Sequence, residues 1–303
     1  MLEKFGVISN CWAKALEKGV RFEDLIVQFA EQGFTYQEVR DAEYLRATEF
    51  GRYLDTIEEA MPRYSDESWK EICDGIRQKQ GWEQLAKKED QALFKHMADF
   101  VEITEGLVIS YAAAHRWLNE PENIDEDNDR IRKAIKLAYL LSTAGMARLR
   151  LVDIEPLEGF DPEAAVSNLK RYRALLPDYP MTYALEHAHQ SAPLTLDLAV
   201  RGGFSFAYDE ANLYIKGGPD PGELEDFWAK VELSHLTSIH LKQIDAQGFS
   251  SSLAGEGFVD FSALMDRLEA IGYAGEFLLE NVPTDQPLED ARESRAFIHA
   301  LKA

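Results

Sequence analysis

Cysteine is scarce in this chain of 303 residues: Cys11 and Cys73 lie far apart and form no C-x-x-C. Neither a disulfide framework nor a thiolate zinc site is implied, and a reducing, cytoplasmic compartment fits. No run approaches the ~18 apolar residues of a membrane span, and the opening MLEKFGVISNCW lacks the apolar core of a signal peptide. Membrane insertion and secretion are therefore not expected. Positive charge is also in short supply, the formal net charge being −22. Nucleic-acid affinity comes largely from clustered Lys and Arg, so that partner class is excluded, while an acidic balance by itself mostly says soluble. No G-x-G-x-x-G follows the first strand-like run, and no nicotinamide, flavin or pyridoxal cofactor is signalled. The acidic stretch ENIDEDND at 122–129 lacks the Gly and terminal Glu of a calcium loop and reads as carboxylates at a helix start. Internal repeats and low-complexity linkers are absent too.

What is present is a regular alternation. Hydrophobic content of 46% is enough for a full core. Strand candidates fall at 4–10, 34–40, 106–111, 147–153, 182–187, 204–209, 237–243 and 276–281. Helix signals fill most gaps: Phe22, Leu25, Ile26, Phe29 and Ala30 at helical spacing before Gly33, Asp161-Pro162 and Asp260 as starts, and a stripe at Ile131, Ile135, Ala138 and Leu141. Eight such units predict an α/β fold, a (β/α)8 TIM barrel forming one domain over 1–303, with a doubly wound open sheet as the alternative. Residues 41–106, between strands two and three, are too long for a simple crossover. They are predicted to hold a helical insertion of two or three extra helices, either packing or a lid.

Four potential ligands stand at the ends of successive strands: Glu186, Asp209, His240 and Glu280, spaced by 23, 31 and 40 residues. Three oxygens and one nitrogen look like a divalent-metal site on the C-terminal rim of a barrel. Strand alternation sets Asp209 with Ser205 and Ala207, opposite Phe204, Phe206 and Tyr208, so that it points inward. The same count turns Glu186, Glu280, His240 with Lys242, and Arg148 with Arg150 to the interior, and leaves His187 facing outward. Buried charge is costly unless paired or ligating, so this interior is built for an ion and a polar, oxygen-rich ligand.

The four strand-end residues, together with LEHAH, SIHLK, GEGFVDF and GYAGEFLLEN, resemble the xylose-isomerase-like TIM barrels, a superfamily of sugar isomerases, epimerases, dehydratases and AP endonucleases. The resemblance is most specific from about residue 180 onward; GVISN, Glu38 in YQEVR and the Arg in ARLRLVD are fainter echoes. It implies that Glu186, Asp209, His240 and Glu280 hold one Mn²⁺, Mg²⁺, Co²⁺ or Zn²⁺, that His189 contacts substrate, and that a homodimer or homotetramer forms. Two positions depart from the pattern: Asn212 stands where many relatives have His, and Gln243 where they have Asp. Asn212, with the missing Asp-x-His after the seventh strand, removes the multi-zinc nucleases.

A single ion with four protein ligands keeps about two open positions, enough to chelate adjacent oxygens of a hydroxy-ketone and stabilise an enediolate. The resemblance gives Glu186 and Glu280 the proton-transfer roles, in either order. Arg150 or Lys242 can stabilise oxyanion charge or form an interior ion pair with Glu38 or Glu276. The candidate substrate-binding set is therefore His189, Arg150, Lys242, Asn212, His115 and Glu38. A metal-dependent isomerase or epimerase of a sugar or related polyhydroxy carbonyl compound leads, a lyase such as a dehydratase on the same site follows, and a non-catalytic sugar- or metal-binding subunit comes third.

Overall fold

A computed structural model describes the chain except residues 1–3, 114–123, 144–145, 154–159, 189–190, 216–217, 219–220 and 303. Eight parallel strands close into a barrel in sequence order: β1 (Phe5–Ile8), β2 (Tyr36–Arg40), β3 (Val108–Ala112), β4 (Ala147–Asp153), β5 (Met181–His187), β6 (Ser205–Asp209), β7 (Leu236–Leu241) and β8 (Glu276–Leu279), with β8 returning to pair β1. Every predicted strand is present. Three end sooner than the apolar pattern suggests, because the chain turns onto the rim: Ser9–Trp12 form a 3-10 turn, and Lys242 and Glu280 lie just past β7 and β8.

The helices follow the expected signals. Helix α1 (Phe22–Glu31) buries Phe22, Leu25, Ile26 and Phe29, and the chain leaves it through Gly33 at φ +85°, a conformation that favours glycine. The 41–106 segment holds α2 (Glu49–Ala60), α3 (Asp66–Arg77) and α4 (Gln91–Ile103), joined through single-turn helices at Glu43–Arg46 and Trp82–Leu85. Helices α3 and α4 pack against α5 (Ile124–Leu141), beside the barrel. The first turn of α5 carries Asp125, Glu126 and Asp127, as the acidic stretch predicts. The ring continues with α6 (Pro162–Ala174), α7 (Ala192–Gly202), α8 (Pro221–Lys230), α9 (Phe261–Ala270) and α10 (Pro287–Ala300). Asp161 accepts hydrogen bonds from Glu163 N and Ala164 N at the start of α6, and Asp260 from Ala263 N at the start of α9. Among the described residues no helix is long and apolar enough to cross a membrane.

The apolar core lies between barrel and helices, where Val7, Val39, Leu149, Leu151, Leu185, Phe206, Tyr208, Ile239, Leu241, Phe277 and Leu279 are buried. The barrel interior is polar instead. Arg148 pairs with Glu276 and Arg150 with Glu38 across it. One irregularity sets the site. Phe206 faces Leu236 but Ala207 faces Ser238, so β7 carries one extra residue, and Asp209 then stands level with His240.

Closure constrains β1 at Gly6. A Cβ there would run into the Tyr36 carbonyl oxygen of the paired strand and lie 2.6 Å from Leu278 Cδ2. Because the first obstacle is backbone, it cannot rotate aside. Gly6→Ala is expected to cost about 1–3 kcal/mol, as overpacking does, read as a lower urea midpoint; an unchanged midpoint would show that β1 has slack.

Candidate metal centre

The C-terminal rim gathers four side chains from four adjacent strands. Glu186 ends β5, Asp209 ends β6, His240 stands in β7 and Glu280 follows β8, and one ligand atom from each lies within 4.8 Å of all the others. All four are buried, Asp209 completely. Backbone pairing places them: Asp209 is level with His240, Leu278 with His240, and Glu280 N donates to Leu241 O at 3.0 Å. The inward alternation expected of these strands holds at each position.

Neighbouring groups fix the carboxylates. Glu186 Oε2 accepts from Arg150 Nη1, while Oε1 accepts from Asn212 Nδ2 at 3.2 Å and lies 3.3 Å from His240 Nδ1. Asp209 Oδ1 accepts from Ala211 N at 3.0 Å, and Oδ2 lies 2.7 Å from the Lys242 ammonium. Glu280 Oε1 accepts from Arg40 Nη1 at 3.1 Å, and Oε2 lies 3.3 Å from Lys242 Nζ and 3.4 Å from His240 Nδ1. His187 is packed outside the barrel as expected, stacked on Phe206 and Tyr208, and its Nε2 accepts from Asp209 N at 3.3 Å.

Four buried carboxylates, Glu38, Glu186, Asp209 and Glu280, face three permanent cations, Arg150, Lys242 and the half-exposed Arg40. The fourth positive charge is the proton of His240. Burial alone would lower the His240 pKa, but the Glu186 and Glu280 carboxylates overcome it and push the ring up to about 10. Burial likewise opposes ionisation of Glu186, yet Arg150 and His240 draw it down to about 2. At Asp209 burial wins over Lys242 and raises the carboxyl to about 6. No hydrogen bond of proper geometry reaches either ring nitrogen of His240 or Asp209 Oδ2. Buried polar atoms without hydrogen bonds, gathered where the charge balances only while His240 holds a proton, fit a divalent cation held by three oxygens and one nitrogen.

The other sequence candidates fall into place unequally. Asn212 holds Glu186 and also donates to His187 O at 2.8 Å, so it supports a ligand carboxylate. Arg150 and Glu38 lie beneath the cluster, each about 3% exposed and bonded to one another. They form the interior ion pair, which leaves Arg150 no free face for substrate. Lys242 pairs with Asp209 and Glu280 rather than with Glu38 or Glu276. His115 and His189 lie outside the described residues.

Two residues were missed from the sequence. Arg40 was legible, because it shares the inward face of β2 with Glu38, two residues away. It lines an open cavity of about 1140 Å³ at the start of the insertion, with Tyr44 and Thr48. Gln243, noted only as a departure, is a clamp: its Oε1 accepts from Ile244 N and Val259 N, and its Nε2 donates to Val259 O. A Cβ at Gly257 would run into it, so the G-x-G there serves this close approach.

No family model matches the chain, and no curated protein matches it in sequence. Solved structures do match in shape. A xylose isomerase domain containing protein from Salmonella typhimurium LT2 shares 14% identity over 99% of this chain and 98% of that one, at a TM-score of 0.64. The IolI protein, solved with a bound zinc atom, shares 12% over 99% and 96%, at 0.62. D-psicose 3-epimerase from Clostridium cellulolyticum H10, solved with D-tagatose, shares 13% over 99% and 98%, at 0.57. These likenesses show the fold alone, a TIM barrel.

The raised His240 pKa gives the site a sign in pH. A ligating imidazole must be neutral, so an ion competes with the proton that His240 carries up to about pH 10. Mn²⁺ affinity is expected to rise by about tenfold per pH unit between pH 7 and 9, with one proton released per ion. Calorimetry in buffers of different ionisation heat checks this, and Asp209→Ala/His240→Ala should bind none; a pH-independent affinity would remove His240 from the ligand set.

Proposed function

We propose that this protein is a metal-dependent isomerase or epimerase of a sugar or related polyhydroxy carbonyl compound, using one Mn²⁺, Mg²⁺, Co²⁺ or Zn²⁺. The observation that carries the reading is the buried cluster of three carboxylates and an imidazole, one ligand atom of each lying within 4.8 Å of all the others. A divalent ion there, when bound, polarises a substrate carbonyl and acidifies the C–H beside it. With that ion in place of the His240 proton, the charge around the cluster changes from balanced to one positive. Developing negative charge on a substrate oxygen is then met by a fixed cationic environment, needing no rearrangement during the reaction.

Glu186 and Glu280 are the carboxylates assigned to move the proton. They flank the cluster from opposite sides, each lying within 3.4 Å of the His240 Nδ1 between them. Lys242 lies beside Glu280 and Asp209 with its ammonium 4.6 Å from the Phe249 ring, and its charge is the one assigned to stabilise an oxyanion. Burial would lower its pKa, but Asp209 and Glu280 raise it, so it stays charged. The fold likeness to a D-psicose 3-epimerase and to the zinc-bearing IolI protein is consistent with this reading.

Incubation of the metal-loaded protein with ketoses, keto acids and inososes in D₂O should place deuterium on the carbon beside the carbonyl, seen by NMR. Glu186→Gln and Glu280→Gln should each slow turnover by about 10²–10⁴-fold, as loss of a positioned acid or base does. An unsaturated or 1,2-dicarbonyl product would move the assignment to a dehydratase on the same site. No exchange and no product with any of these substrates would overturn it.

A further inference from the structure

Arg150 is held by two buried glutamates. Its guanidinium is buried in the barrel and donates through Nε to Glu38 Oε1 at 2.8 Å, through Nη2 to the same oxygen, and through Nη1 to Glu186 Oε2. Glu38 is held in turn by Ser110 Oγ, which donates to Oε2 at 3.4 Å. The sequence of contacts runs from β3 through β2 and β4 to β5, ending on a ligand carboxylate. Below it the barrel leaves a cavity of only about 20 Å³, lined by Glu38, Ser110, Arg148 and Arg150. That is room for about one water, so neither Arg150 nor Glu38 can swing down into it.

The consequence falls on Glu186. With Oε2 taken by Arg150 from below, only Oε1 faces the cluster, where Asn212 and His240 Nδ1 flank it. A glutamate has three rotatable side-chain bonds, and a lone carboxylate in this position could bind an ion through either oxygen or both. The guanidinium removes that freedom, as partners of metal-bound carboxylates do.

We propose that Arg150, oriented by Glu38, is a positioning residue for the metal centre that commits Glu186 to present a single oxygen. The inference rests on the reading of the cluster as a metal site. It predicts that the Arg150–Glu38 pair sets metal affinity and ligand geometry, apart from its effect on stability.

The test uses the full chain, stripped with chelator and titrated with Co²⁺, which reports ligand geometry through its visible absorption. Wild type, Arg150→Met, Arg150→Lys and Glu38→Gln are compared by calorimetry, visible spectrum and metal-free melting temperature. Arg150→Met is expected to bind Co²⁺ about 10–100-fold more weakly, the usual effect of losing such a partner, with an altered visible band. Arg150→Lys should recover part of the affinity but not the wild-type band, because an ammonium lacks the planar fork that spans both glutamates. Glu38→Gln should weaken binding severalfold although Arg150 is intact. A folded Arg150→Met that keeps wild-type affinity and spectrum would overturn the proposal whatever its melting temperature. If Arg150→Met does not fold, wild-type binding by Glu38→Gln overturns it equally. No Co²⁺ bound by the wild type would remove the metal centre itself, and this proposal with it.

Discussion

Closing eight strands into a barrel forces their ends onto one small ring, and in this chain the ends of β5 to β8 carry three carboxylates and an imidazole. Bringing like charges that close in a medium with little water is unfavourable, and each is tolerated only where a cation answers it. The interior is arranged around that constraint. Arg150 answers Glu38 and Glu186, Lys242 answers Asp209 and Glu280, and Arg40 reaches Glu280 from the rim. At the point where the four ligand atoms converge, the balance depends on the proton of His240. Lower in the barrel a permanent cation, Arg148, closes on Glu276 instead. A balance that rests on an exchangeable proton sets the rim apart from the barrel interior below it.

The register of one pair of strands decides whether the rim side chains have a common centre. Had β7 paired regularly with β6 after Phe206–Leu236, Asp209 would have stood level with Ile239, and His240 would have lain one step further on. The extra residue near Thr237 shifts β7 so that Asp209 and His240 share a level, with Leu278 of β8 on the other side of His240. An irregularity of one residue thereby aligns ligands from two strands, as bulges beside functional sites often do.

Much of this could be read from the sequence because barrel strands carry two signals at once. Alternation fixes which side chain faces inward, and a charged residue at an inward position is costly enough to be informative. Phe204, Phe206 and Tyr208 against Ser205, Ala207 and Asp209 settled β6 without any knowledge of neighbouring strands. What could not be read depends on contacts between strands far apart in sequence. The choice between a substrate-facing Arg150 and one paired with Glu38 turns on the depth at which β4 sits relative to β2, which no local pattern records. The bulge in β7 leaves LTSIHL looking like an ordinary strand. Gln243 gave no signal either, since its work is to hold Val259, sixteen residues away. Arg40 is different: its alternation with Glu38 points inward along β2.

The parts of the rim that do not supply ligands are built to different degrees of rigidity, and this bears on how a substrate is selected. After β7 the chain is held tightly. Gln243 fastens the loop at both ends, the Ile244–Asp245 and Gly248–Phe249 ribbon closes on itself, and Val282 N donates to Ser250 O to tie it to the β8 side. That loop places the Phe249 ring over the Lys242 ammonium. On the opposite side, after β2, the rim opens into the cavity lined by Arg40, Tyr44 and Thr48. Arg46 pins this corner to Asp41, Asp55 and Glu58, so its charge is already spent, while Arg40 keeps its Glu280 contact and a solvent-facing edge. The geometry of the cluster thus comes from strand ends locked by the barrel, whereas open space lies on the insertion side, where the chain can vary without disturbing the charges that the barrel holds in balance.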